Sequence, residues 1–427
     1  MVILAVLLAL LFLGVPISYA IAVSSLTAIL SSIDLNVAVL TAAQRTFVGM
    51  SKFSLTAIPF FILAGNIMNQ GGIAKRLVDF VMSILGKLPG ALLITNIGTN
   101  ALFGAISGSA SAAAAAVGSM IRDGAEEQGY DPAVTAATNA ASSCSGLLIP
   151  PSNALITYSL ASGGTSVAAL FMAGYVPGII WALACAVVGV ILAKKLGYKG
   201  TPGKFDWKNL GVCTLRALPS LSLIIVVIGG IVGGVFSATE GSAIAVVYAL
   251  ILAFCYRSIN LKSLWKIIVD SAKMSGMVVF LVGVSNILGW VMAFLQIPDA
   301  VAALLLGLTN NKYIILLIMN VILLVSGTFM DVTPAILIFT PLFLPICQSF
   351  GMSTIQFGMI LVYNLCIGNI TPPVGNALFV GIKVGRTSLE KILPYMLMYY
   401  VAIIGGLLLV TYIPAVSMAL PQLTGLV

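Results

Sequence analysis

Two short stretches of this chain combine hydroxyl groups with permissive backbone in a way that suits a small hard ion. They are Ser107-Gly108-Ser109-Ala110-Ser111 and Ser326-Gly327-Thr328. Each is followed along the chain by a double proline, Pro150-Pro151 after the first and Pro372-Pro373 after the second, with Gly146 and Gly368 four residues before. A double proline removes two amide donors and breaks a helix. A glycine close by permits backbone angles that other residues avoid. The carbonyls freed at such a break are oxygen ligands, and hydroxyl and carbonyl oxygens without soft ligands suit sodium better than a transition metal. The half-helices that start after the breaks turn their N-termini inward, where they can face an anion.

Each feature has a plainer explanation when it stands alone. Small-residue runs such as 112–116 let helices pack closely, and a double proline is a kink. What favours an ion site is that tip and break occur together, twice, in matching places. Four local matches recur at nearly one offset. Gly14-Val15 aligns with Gly234-Val235, and Asn66-Ile67-Met68 with Asn286-Ile287-Leu288, both 220 residues on. Ser107-Gly108-Ser109 meets Ser326-Gly327-Thr328 at 219. Cys144-x-Gly146-x-x-x-Pro150-Pro151 meets Cys366-x-Gly368-x-x-x-Pro372-Pro373 at 222, and Asn153-Ala154-Leu155 then answers Asn376-Ala377-Leu378. Four matches in one order indicate duplication.

The elements that position these residues must lie in lipid. Of 427 residues, 60% are hydrophobic and 7% charged, against about 25% charged in a soluble protein. Too little polar surface remains to cover a water-soluble globule. The net charge of +8 does not point to nucleic acid, because the basic residues sit in short loops between apolar runs and form no stripe or arm. The first 20 residues resemble a signal peptide, but no Lys or Arg precedes Arg45, so the start reads as a retained membrane segment.

Apolar segments fall near 2–13, 17–33, 54–70, 132–162 and 167–193, and a further stretch, 89–121, is interrupted by small residues. The interrupted stretch reads as a re-entrant hairpin. Five crossings per copy is an odd number, so the second copy is inverted. The predicted fold is an all-α polytopic membrane protein, an inverted structural repeat of about ten crossings plus two re-entrant helical hairpins. The first repeat covers 1–195, with membrane helices over 1–70, the hairpin over 89–121 and a broken helix over 132–162. A basic linker follows at 196–216. The second repeat covers 217–427, with helices over 217–295, a hairpin over 312–347 and a broken helix over 355–384. Stretches 72–87 and 258–271 read as amphipathic connectors along the membrane surface. With the N-terminus outside, sixteen of the twenty Lys and Arg residues fall in inside loops, and only that orientation satisfies the positive-inside rule. The first hairpin then opens from inside and the second from outside.

Other chemistry is poorly supplied. Histidine is absent, and the six cysteines form no CxxC pair, which argues against a zinc site or a disulfide framework. The plausible intramembrane acids are Asp331 and Glu240, too few for the paired acids, metal ligands or Ser–His arrangement of an intramembrane hydrolase. The chain therefore reads as no enzyme. Asp331, just past the second tip, could tune a cation site or cap the helix that starts near Thr333-Pro334. Glu240 reads as a cap and Asp79 as a solvated charge. A channel needs an open polar path or a carbonyl filter, usually from symmetric subunits, and two inverted hairpins in one chain suit alternating access better.

Several motifs carry a family resemblance. Met120-Ile121-Arg122-Asp123, Gly129-Tyr130-Asp131-Pro132 and Leu148-Ile149-Pro150-Pro151-Ser152-Asn153 resemble the large membrane subunit of tripartite ATP-independent periplasmic (TRAP) transporters. So do Phe236-Ser237-Ala238-Thr239-Glu240, Asp331-Val332-Thr333-Pro334-Ala335 and Thr371-Pro372-Pro373-Val374-Gly375. The resemblance spans essentially the whole chain in order, and its general pattern is most similar to the sialic-acid members. It departs at 236–240, where many relatives carry Thr-Pro-Thr-Glu, and at Val374-Gly375, an insertion before Asn376 that the first copy lacks.

The resemblance implies an elevator-type ion transporter in the bacterial inner membrane, with both termini periplasmic. The early helices of each repeat form a fixed scaffold, and the hairpins and broken helices form a moving domain. Two or more sodium ions serve as coupling ions and no other cofactor is needed. By residue matching, one sodium site uses Ser107, Gly108, Ser109, Gly146, Pro150 and Asn153. The other uses Ser326, Gly327, Thr328, Gly368, Thr371 and Asn376, and the substrate lies between them. The implied substrate is a small organic acid, sialic acid (N-acetylneuraminate) first and a C4-dicarboxylate next. The implied partners are a small four-helix membrane subunit and a periplasmic substrate-binding protein, both expected to be separate chains. A sodium–carboxylate symporter that works without a binding protein shares the same broad architecture.

Overall fold

The computed structural model describes residues 2–200, 206–309 and 311–427. Lys204 and the middle of the expected linker lie outside the described residues. Among the described residues the chain is helical throughout, with 21 α-helices and one short 3-10 turn. The first half holds α1 (Val2–Phe12), α2 (Ile17–Ile29), α3 (Leu35–Met50), α4 (Ala57–Gln70) and α5 (Ile73–Leu85). Next come α6 (Ala91–Ser107), α7 (Ala110–Glu127), α8 (Pro132–Ser143), α9 (Ser145–Leu148), α10 (Asn153–Ala161) and α11 (Val167–Leu196). The second half holds α12 (Trp207–Val232), α13 (Ala238–Cys255), α14 (Leu261–Phe294), α15 (Ile297–Leu308) and α16 (Lys312–Gly327). It ends with α17 (Val332–Ser349), α18 (Thr354–Asn369), α19 (Asn376–Val384), α20 (Leu389–Tyr412) and α21 (Pro414–Leu423).

Local chemistry explains where these helices begin. Asp131 accepts from the Ala133 amide at 2.8 Å, with Pro132 in the first helical position of α8. Ser237 and Glu240 form a reciprocal capping box at the start of α13, as do Asn260 and Ser263 at the start of α14. Glu240 is thus a cap.

Among the described residues six helices (α11, α12, α13, α14, α17 and α20) are long and apolar enough to cross a bilayer. They become seven when α3 and the segment Phe53–Gln70, bent by 59°, count as one span. This is a multi-pass membrane protein, and a figure of ten crossings needs the shorter and broken helices as well.

Three features differ from the sequence-based reading. The stretch 258–271 is no separate connector, because α14 runs unbroken for 34 residues. It meets no Pro and no Gly before Gly276, so nothing stops the helix. The linker is shorter than 196–216, because Asp206 accepts from the Lys208 and Asn209 amides and starts α12 at Trp207. Finally, α3 fills 35–50, where Asn36, Thr41, Gln44 and Arg45 dilute the apolar signal.

The packing places the breaks at the centre. Residues 133–143 of α8 and every residue from Ile355 to Asn369 of α18 are buried. α4 packs on α13, and α14 packs on α2, α3 and α4. The half-helices exchange partners across the molecule: α10 packs on α17, while α19 packs on α7 and α8.

Candidate functional site

The first tip is a tight turn. α6 ends at Ser107, Gly108 adopts φ +61°, and Ser109 starts α7 by accepting from the Ala112 amide at 3.3 Å. The left-handed angle at Gly108 suits a residue without Cβ. Ser107 is buried, and its hydroxyl donates only long bonds, 3.5 Å to the Gly104 carbonyl and 3.4 Å to that of Ser109. The Ser107 carbonyl lies against α4, where a Cβ on Gly65 would sit 2.7 Å from it.

The first break lies beside this tip. α8 and the single turn α9 run into Pro150-Pro151, and α10 starts at Asn153. The Pro150-Pro151 and Pro372-Pro373 bonds are both cis. Ser152 restores the interrupted ladder by accepting from the Leu155 amide at 3.4 Å and donating to the Leu147 carbonyl. Asn153 reaches the tip and donates to the Gly108 carbonyl at 3.4 Å. One turn back, Gly146 and Gly104 touch backbone to backbone, and a Cβ on Gly104 would lie 2.7 Å from the Gly146 Cα. Ser107, Gly108, Ser109, Gly146 and Asn153 thus come together, with Pro150 buried at the break.

The second tip and break meet differently. The Val374 amide donates to the Thr328 carbonyl at 3.1 Å, backbone to backbone. Gly368 abuts Gly327, but a Cβ on Gly327 would find its nearest neighbours at 3.3–3.4 Å. The Thr371 hydroxyl donates to the Ile367 carbonyl at 2.6 Å, so its oxygen lone pairs are not used in that bond. The freed Ile370 carbonyl accepts from the Tyr400 hydroxyl of α20 at 2.6 Å. Gly375 precedes α19 with no side-chain cap, and Pro373, Val374 and Asn376 are exposed. Gly327, Thr328, Gly368 and Thr371 gather, while Ser326 is half-buried and Asn376 stands at the rim. Asp331 occupies the N-cap position of α17, exposed and without a side-chain cap bond.

Between the breaks lies a polar core absent from the predicted site residues. Asn100 of α6 donates to Ser142 of α8 at 2.8 Å and to Asn139 Oδ1 at 3.1 Å. Asn364 of α18 donates to Asn320 Oδ1 of α16 at 2.9 Å. The signal was in the chain, since Asn100 and Asn320 are 220 apart and Ser142 and Asn364 are 222 apart. The two halves touch where Asn369 Nδ2 donates to the Cys144 sulfur at 3.8 Å and the Cys366 thiol to the Cys144 carbonyl at 3.9 Å. Asn100 Oδ1, Asn364 Oδ1 and Asn369 Oδ1 are buried with no hydrogen-bond partner. An unpaired buried acceptor costs about 1–3 kcal/mol, which a bound cation would offset. No group of three or more His, Cys, Asp or Glu that could hold a metal occurs among the described residues. The unpaired acceptors are amide oxygens, beside the Cys144 and Cys366 sulfurs, and oxygen is the ligand type a hard monovalent ion would take.

Comparisons with known proteins agree over nearly the full length. The family model described as "Tripartite ATP-independent periplasmic transporter, DctM component" matches residues 4–416. The chain is 49% identical to the uncharacterized protein YgiK of Salmonella typhimurium, over 96% of this chain and 94% of that protein. It is 38% identical to the isethionate TRAP transporter permease protein DctMQ of Oleidesulfovibrio alaskensis, over 95% of this chain and 64% of that longer protein. The C4-dicarboxylate TRAP transporter large permease protein DctM of Pseudomonas aeruginosa is 37% identical, over 94% of this chain and 93% of its own. The sialic acid TRAP transporter large permease protein SiaM of Vibrio cholerae is 32% identical, over 97% of each. Among solved structures, the YdaH transporter of Alcanivorax borkumensis shares the fold with TM-score 0.62 and 16% identity, covering 92% of this chain and 90% of that one.

Proposed function

The chain belongs to the DctM family of tripartite ATP-independent periplasmic transporters, and from that premise we propose that it imports a small organic acid driven by sodium. It is the large permease subunit of such a system. The observation that carries the sodium reading is the pairing of each hairpin tip with a broken helix, which gathers hydroxyl and carbonyl oxygens. The first ion is held by Ser107, Gly108, Ser109, Gly146, Pro150 and Asn153. The second is held by Ser326, Gly327, Thr328, Gly368, Thr371 and Asn376. Sodium bound there lends positive charge to the space between the sites, where the N-termini of α10 and α19 also favour an anion.

The movement is of the elevator type. The hairpins α6–α7 and α16–α17 and the broken helices α8–α10 and α18–α19 travel together. The helices α1–α4 and α12–α14 stay fixed as a scaffold, in an inverted repeat set in the bacterial inner membrane with both termini periplasmic. Matching helix starts support the repeat: α8 begins at Pro132 and α18 at Thr354, 222 residues on, as do α7 at Ala110 and α17 at Val332. Gly65 against the Ser107 carbonyl supplies a small-residue contact between scaffold and moving part. A small four-helix membrane subunit widens the scaffold, and a periplasmic binding protein delivers the solute. The relatives named for isethionate, C4-dicarboxylates and sialic acid share one chemistry, the small organic anion. Sialic acid is the solute favoured by the sequence pattern, with C4-dicarboxylates next.

Uptake of labelled sialic acid and succinate into proteoliposomes tests the whole reading. The expected result is uptake that requires an inward sodium gradient and all three components. Uptake by this chain alone would replace the tripartite reading with a single-component symporter, and uptake indifferent to sodium would overturn the ion sites.

A further inference from the structure

Past the end of α4, a cavity of about 350 Å³ opens between α5, the C-terminal end of α13 and α12. Its lining includes Lys75, Arg76, Asp79, Arg216 and Tyr256. Three cations face one acid, and among the described residues none of the three cations makes an ion pair within 4.0 Å. The Arg76 guanidinium sits 3.2 Å from the centre of the Tyr256 ring, which fixes it at the cavity wall. The Tyr256 hydroxyl is shut off from solvent and has no hydrogen-bond partner. Gly71 and Gly72 also line the cavity, at the N-terminus of α5, which no side chain caps. The first amides of a helix and its positive end attract anions.

We propose that this cavity binds a phosphate-bearing anion through Lys75, Arg76, Arg216 and the start of α5. Converging cations from two helices, free amide donors and room for a head group match a phosphate and its substituent. The same chemistry is offered by the head group of an anionic phospholipid and by a soluble phosphate. The site stands apart from the transport reading and does not depend on it.

The test is native mass spectrometry of the full-length chain with phosphatidylglycerol or phosphatidylcholine, alongside the variant K75Q/R76Q/R216Q and a control, K194Q/K195Q/K266Q, that removes equal charge elsewhere. The wild type and control should retain phosphatidylglycerol over phosphatidylcholine by roughly tenfold or more, since a cation near an anionic lipid surface contributes about fivefold. The variant should lose that preference. Inorganic phosphate at millimolar concentration, read as a rise in melting temperature of wild type but not variant, would support the site with a soluble source. Equal lipid preference in wild type and variant, with no phosphate effect, would overturn the proposal. If the triple variant does not fold, R216Q, on the other helix, is expected to lose several-fold of the preference on its own, and an unchanged preference there, with an unchanged response to phosphate, would overturn the proposal equally.

Discussion

The two tip-and-break pairs carry the same sequence pattern, yet they are finished in different ways. The first is closed by side chains. Ser109 and Ser152 cap the helices, Asn153 reaches the tip, and most of the pair is buried. In the second the break reaches the tip through backbone, the Val374 amide on the Thr328 carbonyl, while Thr371 and Tyr400 serve the carbonyls before the prolines, and the rim at Pro373, Val374 and Asn376 is exposed. A buried break has no water to satisfy its orphan groups, so side chains must do it. An open one needs fewer such partners. The lesson is that one motif can serve at two degrees of burial, provided the neighbours differ.

The comparison breaks most sharply at the glycine contacts. A methyl on Gly104 would press on the Gly146 backbone at 2.7 Å, whereas one on Gly327 meets neighbours at 3.3–3.4 Å. G104A is expected to lower stability by about 1–3 kcal/mol or to prevent folding, while G327A costs roughly less than 1 kcal/mol because its neighbours can shift by tenths of an ångström. Thermal melts of the two purified variants check this, and equal losses would mean that the two contacts are equivalent.

Ion binding gives the next effect. T371A should raise the sodium concentration for half-maximal uptake by roughly 2- to 10-fold, the value of one ligand oxygen at about 0.5–1.5 kcal/mol. T371S, which keeps the hydroxyl, should restore it. S107A is expected to do the same at the first site, and sodium titrations of uptake that leave both values unmoved would remove these residues from the sites.

Capping gives a smaller difference. S152A removes the only side-chain cap at either break and should cost about 1 kcal/mol. No substitution at 375 can reproduce that loss, because α19 has no side-chain cap to remove. Chemical denaturation of S152A in the presence of saturating sodium would measure it. Smallest of all is D331N, since an exposed charge is screened by salt. It should shift the sodium half-saturation by less than about twofold at 0.15 M salt, and a tenfold shift would place Asp331 among the ligands.

Much of this was legible because breaks and tips are written in residue types. Double prolines, Ser-Gly turns and a constant offset need no partner to be recognised. Contacts between distant segments leave a weaker trace. Nothing local marks Gly104 as the neighbour of Gly146, or Tyr400 as the donor to the Ile370 carbonyl, because each is set by how the helices stack. The buried Asn100 and Asn320 do not stand out for a related reason: an asparagine inside an apolar run looks like an interruption until its counterpart across the core is in place. α3 does not stand out because its polar residues dilute the apolar run, and the start of α14 reads as a surface connector because 258–271 is polar, although the helix does not stop.

That undivided helix has a mechanical consequence. At 1.5 Å per residue, 34 residues make a rod of about 51 Å, against a hydrocarbon layer of roughly 30 Å. Residues 274–294 of α14 hold no charge, whereas Lys262, Lys266, Asp270 and Lys273 cluster in its first turns. The uncharged part suffices to span the bilayer, so about 20 Å of charged helix extends past it. A rod without a joint transmits torque. Force applied to the projecting end, by a neighbour or by bilayer thinning, passes along the unbroken helix to the part packed on α2, α3 and α4.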